Sequence, residues 1–341
     1  MFYAKKNYTK TECIQPEVSI VLAADQNYVP ILYTCMQPIV LHTSSEHIYD
    51  IYVFHTNIES DSQQPFLTNL QASNINISFI NVLSYLSGYT LDAHGHITTE
   101  TYYRFLILEI LKEKQKVLYL DCDTIVCDDL AKLYHTDLTN HLIAAAIDPA
   151  VSGAFNNRES DFFIYAKDVL HMKNPFRYFQ AGVLLLNVQK LRQITTVQKL
   201  FSLADTHVYR LFDQDILNMI CYNQVLYFDM KWNLLFDCAF TRVKNEIALA
   251  PDEIQKQYHA ARKHPSIIHY AGHLKPWQDS SADFATEFWR IARMTPFYQS
   301  LLSSHRVHRF IRFIRKIVRL LIPRNTKLRQ WLIQVYRHLV K

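Results

Sequence analysis

Lys116-Val117-Leu118-Tyr119-Leu120-Asp121-Cys122-Asp123-Thr124-Ile125-Val126 sets an apolar run against two acids one residue apart. Five residues bounded by charge is the length of an interior parallel strand, and such a strand leaves the acids where it emerges from the sheet. In open α/β sheets ligands bind at the carboxyl ends of the strands, so chemistry is expected at Asp121 and Asp123. The triplet alone carries little weight, because Asp-x-Asp arises by chance about once in a chain of this size. A second one stands at Asp213-Gln214-Asp215. What distinguishes the first is its place after a buried strand.

Working outward, Val18-Ser19-Ile20-Val21-Leu22-Ala23-Ala24 reads as another buried strand, and it delivers the polar cluster Asp25-Gln26-Asn27-Tyr28. A helix over residues 30–42 follows, with Pro30 at its start. Strands are expected over 48–55 and 75–82, separated by a helix over 63–70. Beyond a loop with His94 and His96, residues 101–111 read as one helix with Arg104 in its first turn, where a cation opposes the helix dipole. That arginine is either solvated or held there to meet an anion. A short helix with an acidic start is expected over 128–133, and a strand over 141–147 ends at Asp148-Pro149. Residues 150–178 lack periodicity and read as a long loop over the site. A strand over 181–187 follows Gln180, and a helix begins near Asp213, whose simplest role is to cap it. A short strand over 266–270 ends in His269. The alternation of strands and helices predicts an α/β fold with a mostly parallel central sheet covered on both faces.

Composition narrows the function. The 341 residues are 49% hydrophobic, enough for an ample core. The five glycines, Gly88, Gly95, Gly153, Gly182 and Gly272, spell neither Gly-x-Gly-x-x-Gly nor a P-loop, so any phosphate must be held by something other than a glycine cradle. The net charge of +5 is unevenly spread: the last acid is Glu287, and 13 of the 36 Lys and Arg lie beyond it. In the region after Arg306 the bases Arg309, Arg312, Lys316 and Arg319 share one helical stripe, while Val307, Phe310, Ile311, Ile314, Ile317, Val318 and Leu321 share another. Pro323 ends that helix, and Leu328, Trp331, Leu332, Val335 and Leu339 form a second apolar stripe. A basic amphipathic helical tail of this kind suits the headgroup plane of an anionic bilayer; the alternative is a helix packed back on the domain or on an acidic partner. No nucleic-acid partner is expected. The six cysteines show no Cys-x-x-Cys spacing and read as free thiols of a reducing compartment. The amino end lacks a signal-peptide h-region, and no run of about 18 apolar residues occurs, which predicts a cytoplasmic protein peripheral on the inner face of the membrane. The expected organisation is an irregular leader over 1–17, a catalytic domain over 18–285 and the tail over 286–341.

Six motifs in order resemble glycosyltransferase family 8, the group of glycogenin and of bacterial lipopolysaccharide galactosyl- and glucosyltransferases. They are Ala23-Ala24-Asp25-Gln26-Asn27-Tyr28, Thr101-Tyr102-Tyr103-Arg104, Leu118-Tyr119-Leu120-Asp121-Cys122-Asp123, Ala181-Gly182-Val183-Leu184, Asp213-Gln214-Asp215-Ile216-Leu217-Asn218, and His269-Tyr270-Ala271-Gly272 with Lys275-Pro276-Trp277. The resemblance implies a GT-A type nucleotide-sugar-binding domain, UDP-glucose or UDP-galactose as donor, and retention at the anomeric carbon. By the same resemblance Ala23, Asp25, Asn27 and Tyr28 hold the uridine, and Asp121, Asp123 and His269 are metal ligands, with Cys122 between the acids at the nucleotide. Arg104, His96, Gly272 and Lys275 face the diphosphate or donor sugar, and Asp148, Gln180, Asp213 and Gln214 line the sugar and acceptor side. One departure is visible: the family commonly has Asn before Ala-Gly, where this chain has Gln180. That bears on how the donor hydroxyls are read.

The residue types suit that chemistry. Two carboxylates are hard oxygen ligands, and one imidazole shifts preference toward Mn²⁺ over Mg²⁺. Gln214, at the family position nearest the anomeric carbon, is a poor nucleophile, which favours front-face attack over a covalent intermediate; Asp213 is the fallback nucleophile. Asp213, Gln214 and Asp148 are thus the expected catalytic group, and the expected acceptor is a lipopolysaccharide core or related lipid-linked glycan. Two rival readings use the same residues. A haloacid-dehalogenase-type phosphatase would use Asp121 as nucleophile, but it needs the motif on its first strand and a later acidic motif. A non-catalytic nucleotide-sugar-binding membrane protein would bind UDP without turnover.

Overall fold

The computed structural model describes residues 16–89, 99–156, 158–321 and 326; for residue 309 and residues 311–321 only the backbone is described. Ten strands occur among them: β1 (Glu17–Ala23), β2 (Ile48–His55), β3 (Ile75–Asn81), β4 (Lys116–Leu120), β5 (Thr124–Val126), β6 (Ile143–Ile147), β7 (Phe179–Asn187), β8 (Val225–Tyr227), β9 (Leu234–Leu235) and β10 (Ile267–His269). Seven form the central sheet in the order β3-β2-β1-β4-β7-β6-β8. Its pairs are parallel except where β7 runs antiparallel between β4 and β6.

Alternation along the strands divides the core in two. Val117, Tyr119, Leu184 and Leu186 join one apolar cluster, whereas Leu118, Leu120, Val183 and Leu185 join the other. Every residue of β7 is buried, as expected of a strand covered on both faces. The helix Val29–Leu41, with Pro30 in its first turn, covers one face, and the helix Phe212–Cys221 covers the other.

This topology gathers four polar positions on one edge. β1 and β4 end side by side, with Val21 opposite Tyr119, so Asp25 and Asp121 emerge together. β7 runs the other way, so its start lies at that same edge: Asp121 N donates to Gly182 O at 2.8 Å, leaving Gln180 beside it. β6 ends opposite Phe179, which brings Asp148 to the group. The three remaining strands form a small sheet, β5-β10-β9, laid beyond the end of β4.

Several expectations are corrected. Residues 99–111 form a 3₁₀ segment, Thr99–Leu106, followed by the short helix Ile107–Ile110, in place of one continuous helix. The tighter winding puts residues three apart on one side, and Arg104 Nε donates to Thr101 O at 2.9 Å. Arg104 therefore lies in the last turn of the 3₁₀ segment and not in the first turn of a helix. The loop expected over 150–178 contains two helices, Pro149–Asn156 and Asp161–Asp168. Their starts are anchored by side chains: Asp148 Oδ1 accepts from Ala150 N and Val151 N at 3.0 Å, and Ser160 Oγ accepts from Phe163 N at 3.1 Å. Asp213 does not cap its helix; Asp215 Oδ2 accepts from Leu211 N instead, at 2.9 Å. The packed body also continues past residue 285. Helix Ala285–Ala292 and Leu301 join an apolar cluster with Ile31, Ile125 and Trp277, and His305 is buried.

Candidate active site

The acid pair at the end of β4 meets His269 because β10 pairs with β5, the strand that starts one residue after Asp123. In that antiparallel ladder His269 lies opposite Thr124, and Tyr270 N donates to Asp123 O at 2.9 Å. His269 Nε2 stands 3.1 Å from Asp123 Oδ1 and 3.7 Å from Asp121 Oδ2. One ligand atom from each of these residues falls within 4.8 Å of the others, a set able to hold a metal ion. Gly182 makes the room: a Cβ there would lie 2.1 Å from His269 Cε1 and 2.8 Å from Asp121 Oδ2.

Surrounding groups fix each ligand. His269 Nδ1 donates to Asn233 Oδ1 at 2.9 Å, which turns the Nε2 lone pair toward the carboxylates. Asp121 Oδ1 accepts from Arg104 Nη2 at 2.8 Å and from the Tyr119 hydroxyl at 2.9 Å, leaving Oδ2 toward the cluster. Lys275 Nζ donates to Asp123 Oδ2 at 2.5 Å and to Tyr270 O at 2.8 Å. Burial pushes the Asp123 carboxyl up, but Lys275 and His269 outweigh it and hold the group well below the usual carboxylate range. The donor set, two oxygens and one nitrogen, fits a divalent cation of the Mn²⁺ or Mg²⁺ kind.

A cavity of about 660 Å³ opens beside this cluster, within the range of small-molecule sites. Ala23, Asp25 and Tyr28 line one wall, where Tyr28 packs edge-on to Trp277 at 6.0 Å. Gln180, Asp148, Asp213 and Gln214 line the other. Gln214 is committed at both ends, since Oε1 accepts from Ala181 N at 2.8 Å and Nε2 donates to Asp148 Oδ2 at 3.3 Å. Asn218 sets this up by hydrogen bonding to both the N–H and the carbonyl of Phe179, which seats its helix on β7. Asp213 accepts from Thr101 Oγ1 at 2.5 Å and sits 3.0 Å from Arg104 Nε. Burial raises the Asp213 carboxyl to about 6 even though Arg104 and Thr101 pull it down. Burial likewise raises Asp148.

Most of the expected site residues converge here, with four differences. Asn27 is exposed, and its amide reaches only Asp25 Oδ2, at 3.4 Å. Arg104 is 4% exposed and faces protein anions, bridging Asp121 and Asp213 while its guanidinium lies 4.3 Å over the Tyr119 ring. The Cys122 thiol points inward, donating to Ala23 O at 3.0 Å and so tying β4 to β1. His96 lies outside the described residues. Among the lining or supporting residues not anticipated are Asn233, Arg242 and Glu246. The last two lack any local motif. Asn233 directly precedes β9, and its role depends on the β9–β10 pairing.

The fold is that of the GT-A type glycosyltransferases, with a candidate metal set and a cavity at the carboxyl ends of its strands. The chain belongs to glycosyl transferase family 8, whose profile matches residues 19–281. Among its relatives are General stress protein A of Bacillus subtilis strain 168, 25% identical over 268 residues, covering 77% of this chain and 88% of that one. Another is glycosyltransferase GlyF of Streptococcus pneumoniae serotype 4, 28% identical over 81% of this chain and 61% of its own length. The fold is similar to galactosyltransferase LgtC in complex with donor and acceptor sugar analogues (TM-score 0.65, 28% identity, 82% of this chain and 96% of that). It is also similar to the bifunctional glycosyltransferase WbbM (TM-score 0.76, 26% identity, 86% of this chain and 52% of that). The chain thus spans only about half of WbbM and three fifths of GlyF. Family membership sets aside the phosphatase reading, and Asp121 Oδ1 is in any case occupied by Arg104 and Tyr119.

Two outcomes follow from this geometry. Gly182→Ala should cut glycosyltransferase activity by about 100-fold, since a displacement of about 1 Å at a reacting site has that effect, while the circular dichroism spectrum stays that of the folded chain; an active Gly182→Ala enzyme contradicts the packing. Between pH 3.8 and about 6 only the folded chain keeps the Asp213 proton, so stability falls as pH rises through that window. Asp213→Asn lacks that loss, and its Tm relative to wild type should rise steadily across the window. A constant Tm difference would show that Asp213 titrates normally.

Proposed function

We propose that this protein transfers glucose or galactose from a UDP-sugar to a hydroxyl of a lipopolysaccharide-core or related lipid-linked glycan, with metal dependence and retention at the anomeric carbon. One observation carries the reading: Asp121, Asp123, His269 and Lys275 converge in the lining of one cavity whose two walls suit a nucleoside and a sugar. Mn²⁺ is the favoured ion and Mg²⁺ the second choice, held by Asp121, Asp123 and His269. Such a cation offsets the negative charge that grows on a diphosphate as the glycosidic bond breaks.

The chain's own residues supply the rest. Tyr28 packs on the uracil, and Ala23 and Asp25 hold the uridine. Lys275 adds a positive charge for the diphosphate, with Gly272 in the same lining. Arg104 acts from beneath by holding Asp121 and Asp213 in place. On the sugar wall, Asp148, Gln180 and Asp213 orient hydroxyls. Gln214, an amide with both ends engaged, is not a nucleophile, which supports front-face attack with the departing phosphate oxygen taking the acceptor proton. Purified enzyme with Mn²⁺ and a panel of UDP-sugars should slowly hydrolyse UDP-glucose or UDP-galactose when no acceptor is supplied, and Asp123→Asn should lose that activity with its fold intact. Binding of UDP without turnover by the wild type would favour the non-catalytic reading instead.

The acceptor's place follows from the tail. No described helix is long and apolar enough to cross a membrane. In the helix Tyr298–Leu321, Leu301 and His305 are buried while Val307 and Phe310 are more than half exposed, which supports an apolar face laid on an anionic membrane at the cytoplasmic side. The second stripe, over 328–339, lies outside the described residues. In this reading the catalytic domain runs over 18–285 with the packed segment to 305, and the remainder is the membrane contact. Chains ending at residue 305 should move to the soluble fraction on cell lysis; unchanged fractionation removes the membrane role.

A further inference from the structure

Asn233 joins two functions that lie on separate elements. It is 3% exposed, ends a 3₁₀ turn and directly precedes β9, whose pairing with β10 sets Leu235 opposite His269. Its Oδ1 accepts from His269 Nδ1 at 2.9 Å, and its Nδ2 donates to Gln180 Oε1 at 2.6 Å. One amide therefore touches a metal-ligating imidazole with one end and a residue of the sugar wall with the other.

The consequence for Gln180 is a fixed polarity. Its Oε1 also accepts from Gly182 N at 2.5 Å, so both lone pairs of that oxygen are used. Its Nε2 has no acceptor among the described residues, and Gln180 lines the cavity. Gln180 thus presents N–H groups alone to whatever lies there. An Asn at this position would be one methylene shorter, about 1.5 Å, and could not reach Asn233 and the cavity from the same backbone.

We propose that Asn233 is a positioning residue that couples metal ligand His269 to Gln180, and that through it Gln180 recognises the donor sugar solely as a hydrogen-bond donor to a hydroxyl oxygen. The proposal rests on the reading of the cavity as a UDP-sugar site. Asn233 keeps the imidazole tautomer that offers Nε2 to the metal, and it keeps the glutamine from flipping its carbonyl toward the sugar. Loss of Asn233 therefore loosens the metal and blurs the sugar reading together, whereas reversing one end separates them.

The test uses the full chain and two measurements: Mn²⁺ affinity from the electron paramagnetic resonance signal of free Mn²⁺, and donor KM from UDP-sugar hydrolysis. Asn233→Leu should weaken Mn²⁺ by about 10- to 100-fold, the usual effect of removing the partner of a ligating histidine. Asn233→Asp still accepts from His269 but cannot donate to Gln180. It should keep or tighten Mn²⁺ binding and raise donor KM by about tenfold, the scale of one hydrogen bond. Unchanged Mn²⁺ affinity in a folded Asn233→Leu chain overturns the coupling, as does an Asn233→Asp enzyme whose KM equals that of wild type. The Mn²⁺ measurement needs no turnover, so a wild type that hydrolyses no UDP-sugar would count against the functional reading while the His269–Asn233 link is still decided.

Discussion

The pairing of β10 with β5 is the constraint on which the site depends. β5 begins one residue past the acid pair, so any strand bound antiparallel to it must end beside those acids. His269 is that end, and the hydrogen bond from Tyr270 N to Asp123 O locks the register. A slip of one residue would turn the imidazole to the opposite face. The arrangement also requires β7 to pass under the cluster with no side chain, which Gly182 provides. Three strands distant in sequence thus converge on a volume the size of one ion.

Charge balance governs what surrounds it. Two carboxylates at one point repel each other unless cations answer them. Lys275 answers Asp123, and Arg104 answers Asp121. Burial disfavours the charge on Arg104, but Asp121 and Asp213 together restore it. Because the same guanidinium holds Asp213, the candidate metal set and the Asp213 side of the cavity share one counter-ion. A buried ion pair of this sort adds little net stability, so its value lies in fixing two carboxylates at a set spacing. Asn233 performs the equivalent task with neutral hydrogen bonds.

Much of this was legible in the sequence where local pattern and tertiary role coincide. The runs ending at Ala24, Leu120 and Ile147 announce buried strands, and their carboxyl ends deliver Asp25, Asp121 and Asp148 to one edge. The helices over 149–168 were missed although Asp148-Pro149 and Ser160-Asp161 are start signals, because lack of periodicity outweighed the caps. Arg104 was found, but its direction was not: whether an arginine meets a substrate or a protein carboxylate depends on Asp213, more than a hundred residues away. Nothing local marks Asn233, Arg242 and Glu246: Asn233 meets His269 through strand pairing, and Arg242 and Glu246 reach the cavity lining only through the tertiary fold.

The most direct measurement of the central claim, a metal-dependent nucleotide site at Asp121, Asp123 and His269, is calorimetric titration of the full chain with UDP in Mn²⁺ and again in excess chelator. The account predicts one UDP bound per chain in Mn²⁺ and binding weakened at least tenfold without it, the scale of one lost charge-assisted contact. Equal affinity under both conditions would contradict it.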